Sequence, residues 1–221
     1  MQPTLGGAFR QFKYSSIKEA SLHDFQRQLD LPVLKWKELK HVRWLSYGAA
    51  VKASLTSYAA GVIELERQAD EEGDVAAFGW LRHIKCYEFV ASLHLLADIL
   101  PVLARLSEKS QLVDLNHGRM QAALETAKTA IKALKDVPGP LFASTAPFIE
   151  DLHSDDEATN ITITATDARK ATFDKNVRLA YLQALLDCLK QHFPACCGCS
   201  LHVLFPGFSK HPSRRFCHLW Q

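Results

Sequence analysis

FVASLHLLADILPVLARL, residues 89–106, is the stretch on which the fold turns. Phe89, Leu93, Leu96, Leu100, Leu103 and Leu106 recur at spacings of three and four, the period of one helical face. His94, Asp98, Pro101 and Arg105 interrupt the apolar run, so it falls short of the ~18 uninterrupted residues that read as a membrane span. It therefore reads as a core helix. Pro101 removes a backbone donor and its ring crowds the preceding turn, which predicts a kink or a split there.

The segments on either side carry the same grammar. Upstream, Ser46 is a candidate N-cap for a helix whose stripe, Val51, Leu55, Tyr58, Val62 and Leu65, runs to about Asp70. The DEEGD corner then stops it, Gly73 serving as C-cap and Asp74 as the next N-cap. A helix with Phe78, Leu81 and Ile84 on its face follows. Downstream, Asp114 is the expected cap of a helix with Leu124, Ala127, Ile131 and Leu134 as its face, closed by DVPGP at 136–140. Helices with one apolar face each must bury those faces on one another, which predicts a bundle.

The flanks are less regular. Ser16 and Glu19 stand in capping-box spacing before a helix with Ile17, Leu22, Phe25 and Leu29, ended by Leu31-Pro32. VLKWKEL, 33–39, alternates as a short strand or an extended arm does. PFIEDLHSDDEATN, 147–160, is acidic and loop-like, with room for one short helix. NITITAT, 160–166, is β-branched and alternating, the pattern of a strand. Asp167 opens a last helix with Val177, Tyr181, Leu182, Leu185, Leu186 and Leu189 facing inward. The expected organisation is an N-terminal helix and basic extended segment over 1–45, a helical bundle over 46–153, a strand and helix over 154–194, and an irregular Cys/His-containing tail over 195–221.

Charge is distributed unevenly. Residues 1–60 carry a net +5, residues 61–160 a net −8 and residues 161–221 a net +5, within an overall +2. A basic end can meet phosphate. No apolar leader opens the sequence, which favours the cytosol or nucleus and makes disulfides unexpected.

Motifs for chemistry are sparse. Neither of the glycine-rich phosphate patterns, nor H-E-x-x-H, nor G-x-S-x-G occurs. Glu64, Glu66 and Asp70-Glu71-Glu72 read as charge-rich, solvated helix ends without the enclosure that acid–base catalysis needs. His83, His94 and His117 stand singly on separate helices and read as core or surface histidines. Cys86 and Cys188 read as small buried apolar residues. Only the tail gathers ligand chemistry: Cys196 and Cys199 have zinc-compatible spacing, and Cys217 with His218 would complete a tetrahedral set, although the second pair is adjacent and fits no zinc-finger pattern.

LKWKELKHVRWLSYGAAVKASL (34–55), YEFVASLHLLADILPVLARLSEKSQLVDL (87–115) and NVRLAYLQALLDCLKQHFP (176–194) together resemble the hAT-like transposase-derived region of vertebrate zinc finger protein 862-like proteins. The resemblance implies a mainly α multi-helix bundle, the hAT-like insertion, with one or two short strands from an incomplete RNase H-like fold. It aligns Arg43 and Trp44 with an Arg-Trp motif associated with a flipped base at a transposon end. An indole can stack on an unpaired base and a guanidinium can pair with phosphate. The residues themselves favour Trp44 as a packing anchor where the bundle meets the remnant of its parent fold, ahead of a surviving base-stacking role. The family's Asp, Asp, Glu triad has no counterpart: Asp24 and Asp30 fall in or at the end of a helix, and the tail beyond Ala195 contains no Asp or Glu. The expectation is a non-catalytic chain without cofactor. Lys35, Lys37, Lys40, Arg43 and Trp44 form its nucleic-acid surface, and DNA, a second copy or other nuclear proteins are its partners. The competing expectation is a protein-interaction scaffold using leucines of LLADILPVLARL (95–106); a metal-dependent nuclease is the third.

Overall fold

A computed structural model describes residue 12 and residues 15–35, 44–112, 116–153 and 160–193. The described residues are mainly helical, and no β-strand occurs among them.

Helix α1, Ser16–Gln28, is capped one residue earlier than the capping-box reading places it: the Ser15 hydroxyl accepts from the Lys18 N–H at 3.3 Å. It ends in a Schellman turn rather than at the proline. Asp30 takes φ +51°, Leu31 N–H donates to Gln26 C=O at 2.7 Å, and Asp30 N–H donates to Arg27 C=O at 3.1 Å. Asp is among the few residues that enter the left-handed region at small cost.

Helix α2, Trp44–Thr56, and helix α3, Tyr58–Asp70, replace the single helix expected from Ser46 to Asp70. Ser46 lies inside α2 and so is not its cap. The break falls at Ser57, fully buried, whose hydroxyl donates to Ala53 C=O at 2.7 Å. A side chain that bonds the backbone of the preceding turn competes with helix continuation. Helix α4, Val75–Ile84, starts as expected: Gly73 sits at φ +66° and the Asp74 carboxylate accepts from Ala76 and Ala77 N–H at 2.9 and 3.2 Å. Of the expected face, Ile84 is buried and Leu81 packs against the core, and only Phe78 departs. Ala77 and Ile84 point inward, whereas Phe78 is 60% exposed.

Helix α5, Tyr87–Ser110, runs for 24 residues straight through Pro101, so the helix is not split there. The proline ring is exposed while Leu100 and Val102 on either side of it are buried, and that flanking burial keeps the helix continuous. Helix α5 is long and apolar enough to cross a bilayer by composition, but 67% of its apolar window is buried inside the fold. Leu95, Leu96, Leu100, Leu103 and Leu106 are all buried, which removes LLADILPVLARL as a docking surface and corrects that basis for the scaffold reading.

Helix α6, His117–Asp136, is capped by Asn116, which accepts from Arg119 N–H at 2.9 Å; Asp114, the expected cap, lies outside the described residues. Two short helices follow, α7 (Pro140–Ala143) and α8 (Thr145–Leu152); the second is the one short helix for which 147–160 left room. Residues 160–166 are extended, with Ile161 and Ile163 buried and the threonines between them exposed. The alternation was legible but the strand did not form. Among the described residues Ile161 N–H bonds Leu152 C=O at 2.9 Å, the end of a helix rather than a strand. The last expected helix is three consecutive pieces: α9 (Asp167–Phe173, capped by Thr166), a π-helical turn over Asp174–Leu179, and α10 (Ala180–His192). The π turn carries Val177 outward to 40% exposure, against expectation, and buries Arg178 instead.

Two apolar clusters make the core. The first gathers α2, α3, α4 and the start of α5 around Val51, Val62, Leu65, Leu93 and Leu100, with Ile161 and Ile163 closing it. The second joins the end of α5 to α6 and α10 through Ile99, Leu103, Ile131, Leu182 and Leu186. Helix α5 contributes to both clusters, and Phe142 and Tyr181 pack against both.

Candidate nucleic-acid interface

The basic segment enters from a fixed frame. Gln26, fully buried on α1, clasps the main chain of Leu34 through both of its polar groups: its amide Nε2 donates to Leu34 C=O at 3.0 Å and its Oε1 accepts from Leu34 N–H at 3.1 Å. The side chain does what a neighbouring strand would do, and it sets residues 31–35 as an extended arm along α1. This resolves VLKWKEL, as far as it is described, as an arm rather than a strand. The arm delivers Lys35 to the surface, 72% exposed, with its Nζ 2.9 Å from Glu19 Oε1. The hydrogen bond from Lys35 holds the Glu19 carboxyl below its ordinary value. An exposed pair of this kind is weak and exchanges readily for a phosphate.

Trp44 is the first residue of α2, and Lys37, Lys40 and Arg43 lie outside the described residues. The other described cations of this end are occupied or isolated. Lys18 donates to Asp74 at 2.6 Å, Arg27 to Asp24 at 2.5 Å, and Lys52 is exposed on α2.

Acidic residues that might have served chemistry are bound into the fold. Glu64 was expected on a solvated helix end; it is instead fully buried. Its carboxylate accepts from Ser21 Oγ and Gln68 Nε2, each at 2.6 Å, and from Arg67 Nε at 2.9 Å and Nη2 at 3.1 Å. Burial pushes its carboxyl up, but the hydrogen bonds of Arg67, Ser21 and Gln68 outweigh burial and hold it below the ordinary value. With every acceptor position engaged, Glu64 ties α1 to α3 and has no free lone pair with which to take a substrate proton. The signal was present in the Glu64, Arg67, Gln68 spacing, but nothing local indicates that α1 covers it.

Asp98 is engaged in the same way: from α5 it accepts the N–H groups of Leu141 and Phe142 at 3.2 and 2.8 Å, capping α7 across the fold. His94 is a core histidine, its Nδ1 2.9 Å from Val90 C=O and its ring edge-on to Phe148 at 4.9 Å. Burial lowers its pKa and holds it neutral. His83 and His117 are exposed on different helices. Among the described residues no group of three His, Cys, Asp or Glu is placed to hold a metal ion. The tail candidates Cys196, Cys199, Cys217 and His218 lie outside the described residues.

No protein-family model matches this chain, and no solved structure matches it significantly.

Proposed function

We propose that the chain is a non-catalytic, nucleic-acid-associated helical module whose contact surface is the basic segment from Lys35 to Trp44. The observation that carries this reading is the Gln26 clasp on Leu34. It gives the stretch Lys35, Lys37, Lys40, Arg43 a rigid point of departure on the bundle, with Lys35 already at the surface. Four cations against one carboxylate, Glu38, over residues 35–43 suit a polyanionic backbone, and Trp36 and Trp44 suit unpaired bases. The nuclear setting and the transposase ancestry belong to the same proposal.

Fluorescence anisotropy with single-stranded and hairpin DNA across a salt series tests it. Affinity should fall as salt rises, with a logarithmic slope of about −3 if four phosphates are met at roughly −0.7 each on single strands. Lys35→Ala/Lys37→Ala/Arg43→Ala should flatten that slope. Trp44→Ala should weaken single-stranded binding by about 1–3 kcal/mol with the slope unchanged. Absence of binding to either DNA at low salt would remove the proposal.

A further inference from the structure

The outer face of α4 lies open among the described residues. Val75, Phe78, Gly79 and Arg82 recur at the three- and four-residue spacing of one helical face, opposite the buried Ala77 and Ile84. Val75 is 83% exposed, Phe78 is 60% exposed, and Arg82 is exposed one turn beyond Phe78. Gly79 stands between them. A glycine inside a helix costs backbone entropy. Here a Cβ would meet nothing within 4 Å, and no positive φ demands a glycine. Among the described residues the chain's own packing therefore gives no reason for it. What such a glycine does provide is a seat on which another molecule can approach the backbone closely.

The two ends of this face differ in sign. Before the helix stand Asp70, Glu71 and Glu72, all exposed. Arg67 bonds Glu71 and Glu72, but its charge is matched by the buried Glu64, so the corner stays acidic. Near the end of the helix Arg82 and His83 are exposed, while Lys85 is held by Glu66. A ligand of one charge sign would be repelled at one end or the other. A surface acidic at one end and basic at the other is instead complementary to itself when turned about a two-fold axis. Antiparallel copies bring the basic end of each helix to the acidic corner of the other, whereas parallel copies would oppose like charges. The register is also compatible. With Phe78 of one copy opposite Gly79 of the other, Arg82 stands opposite Val75, and Glu72 follows roughly one turn further on, within reach of an arginine side chain.

We propose that two copies of the chain associate through α4, packed antiparallel, with Phe78 of each seated on Gly79 of the other and Arg82 of each meeting the Asp70–Glu72 corner of the other. A contact through one helix face falls at the small end of interface sizes, so the association is weak and reversible. The inference is independent of the nucleic-acid reading.

Sedimentation velocity of the full chain over a concentration series up to ~1 mM tests it. The weight-average mass should rise from monomer towards dimer. Phe78→Asp, which alters an exposed side chain and leaves the core intact, should weaken association at least tenfold. Arg82→Glu alone and Glu71→Lys/Glu72→Lys alone should each do the same, because each opposes like charges in its own dimer. An equal mixture of those two variants should associate again, since both corners of the mixed dimer are then oppositely charged. Wild-type protein that stays monomeric throughout the series would overturn the proposal. So would association unchanged by Phe78→Asp, or a mixture no more associated than its two components.

Discussion

Gly139 shows how much one position can be constrained. A Cβ there would fall 2.5 Å from Asp98 Cγ and 2.8 Å from Leu134 Cδ2. The Asp98 carboxylate cannot retreat without releasing the Leu141 and Phe142 N–H groups it caps. Gly139→Ala should therefore destabilise the protein by about 1–3 kcal/mol in urea unfolding. Asp98→Ala should cost about 1 kcal/mol by itself. The double variant should cost less than the two combined, because removing the carboxylate relieves most of the clash. Strict additivity would show that the two residues do not meet.

Titration behaviour also belongs to single residues. The Glu64 carboxyl lies below its ordinary value of 4.5 in the folded protein, so its contribution is fully present above pH 4.5 and is lost as pH falls through the depressed value. His94 lies below its ordinary 6.5. The unfolded chain takes up that proton first, so stability declines as pH drops below 6.5. Denaturant melts from pH 7 to 3 should show both windows. Glu64→Gln should flatten the acidic one only, while lowering stability at pH 7 by about 1–3 kcal/mol through its weakened bonds to Arg67 and Ser21.

At the scale of elements, the local rules were legible wherever a helix could be judged by its own residues. Asp74 caps α4 as read, while Glu71 rather than Gly73 caps α3, and the buried stripe of α6 holds the expected Leu124, Ala127 and Ile131, with Leu134 partly buried. The failures have a common cause. Of the kink or split expected at Pro101, the split does not occur, because burial of Leu100 and Val102 outweighs one missing bond. If that is the balance, Pro101→Ala should stabilise the protein by about 1–3 kcal/mol, since the exposed site gains a donor for Ala97 C=O without repacking. Thermal unfolding checks it, and a lowered midpoint would mean that the proline serves the packing. The π turn at Asp174–Leu179 is likewise invisible locally. It buries Arg178 against Asp174 and sends its guanidinium to Leu134 C=O at 2.8 Å, ending α6 from another element. The candidate interface divides similarly. The basic residues and tryptophans were plain in the sequence, whereas the Gln26 clasp that anchors the arm is a contact eight residues apart between a helix and its own exit.

For the whole molecule, α5 decides cooperativity. It supplies Leu93, Leu96 and Leu100 to one cluster and Ile99, Leu103 and Leu106 to the other, and Phe142 and Tyr181 pack against both. Leu93→Ala and Leu103→Ala, one in each cluster, should each cost about 2–5 kcal/mol. Both should shift one unfolding transition as a unit; a separate early transition in either variant would show that the clusters melt independently.

The sequence by itself determined that this chain forms helices, which faces most of them bury, where several begin, and that its ends are basic around an acidic middle. Those properties follow from periodicity, capping chemistry and composition, which act over a few residues. Only the tertiary structure decided that NITITAT is bonded to a helix end rather than to a strand among the described residues, that Glu64 is enclosed rather than solvated, that Phe78 faces out, and that α5 continues through its proline. Each of these depends on which surface lies opposite, and burial against a distant element outweighs the preference of the local chain.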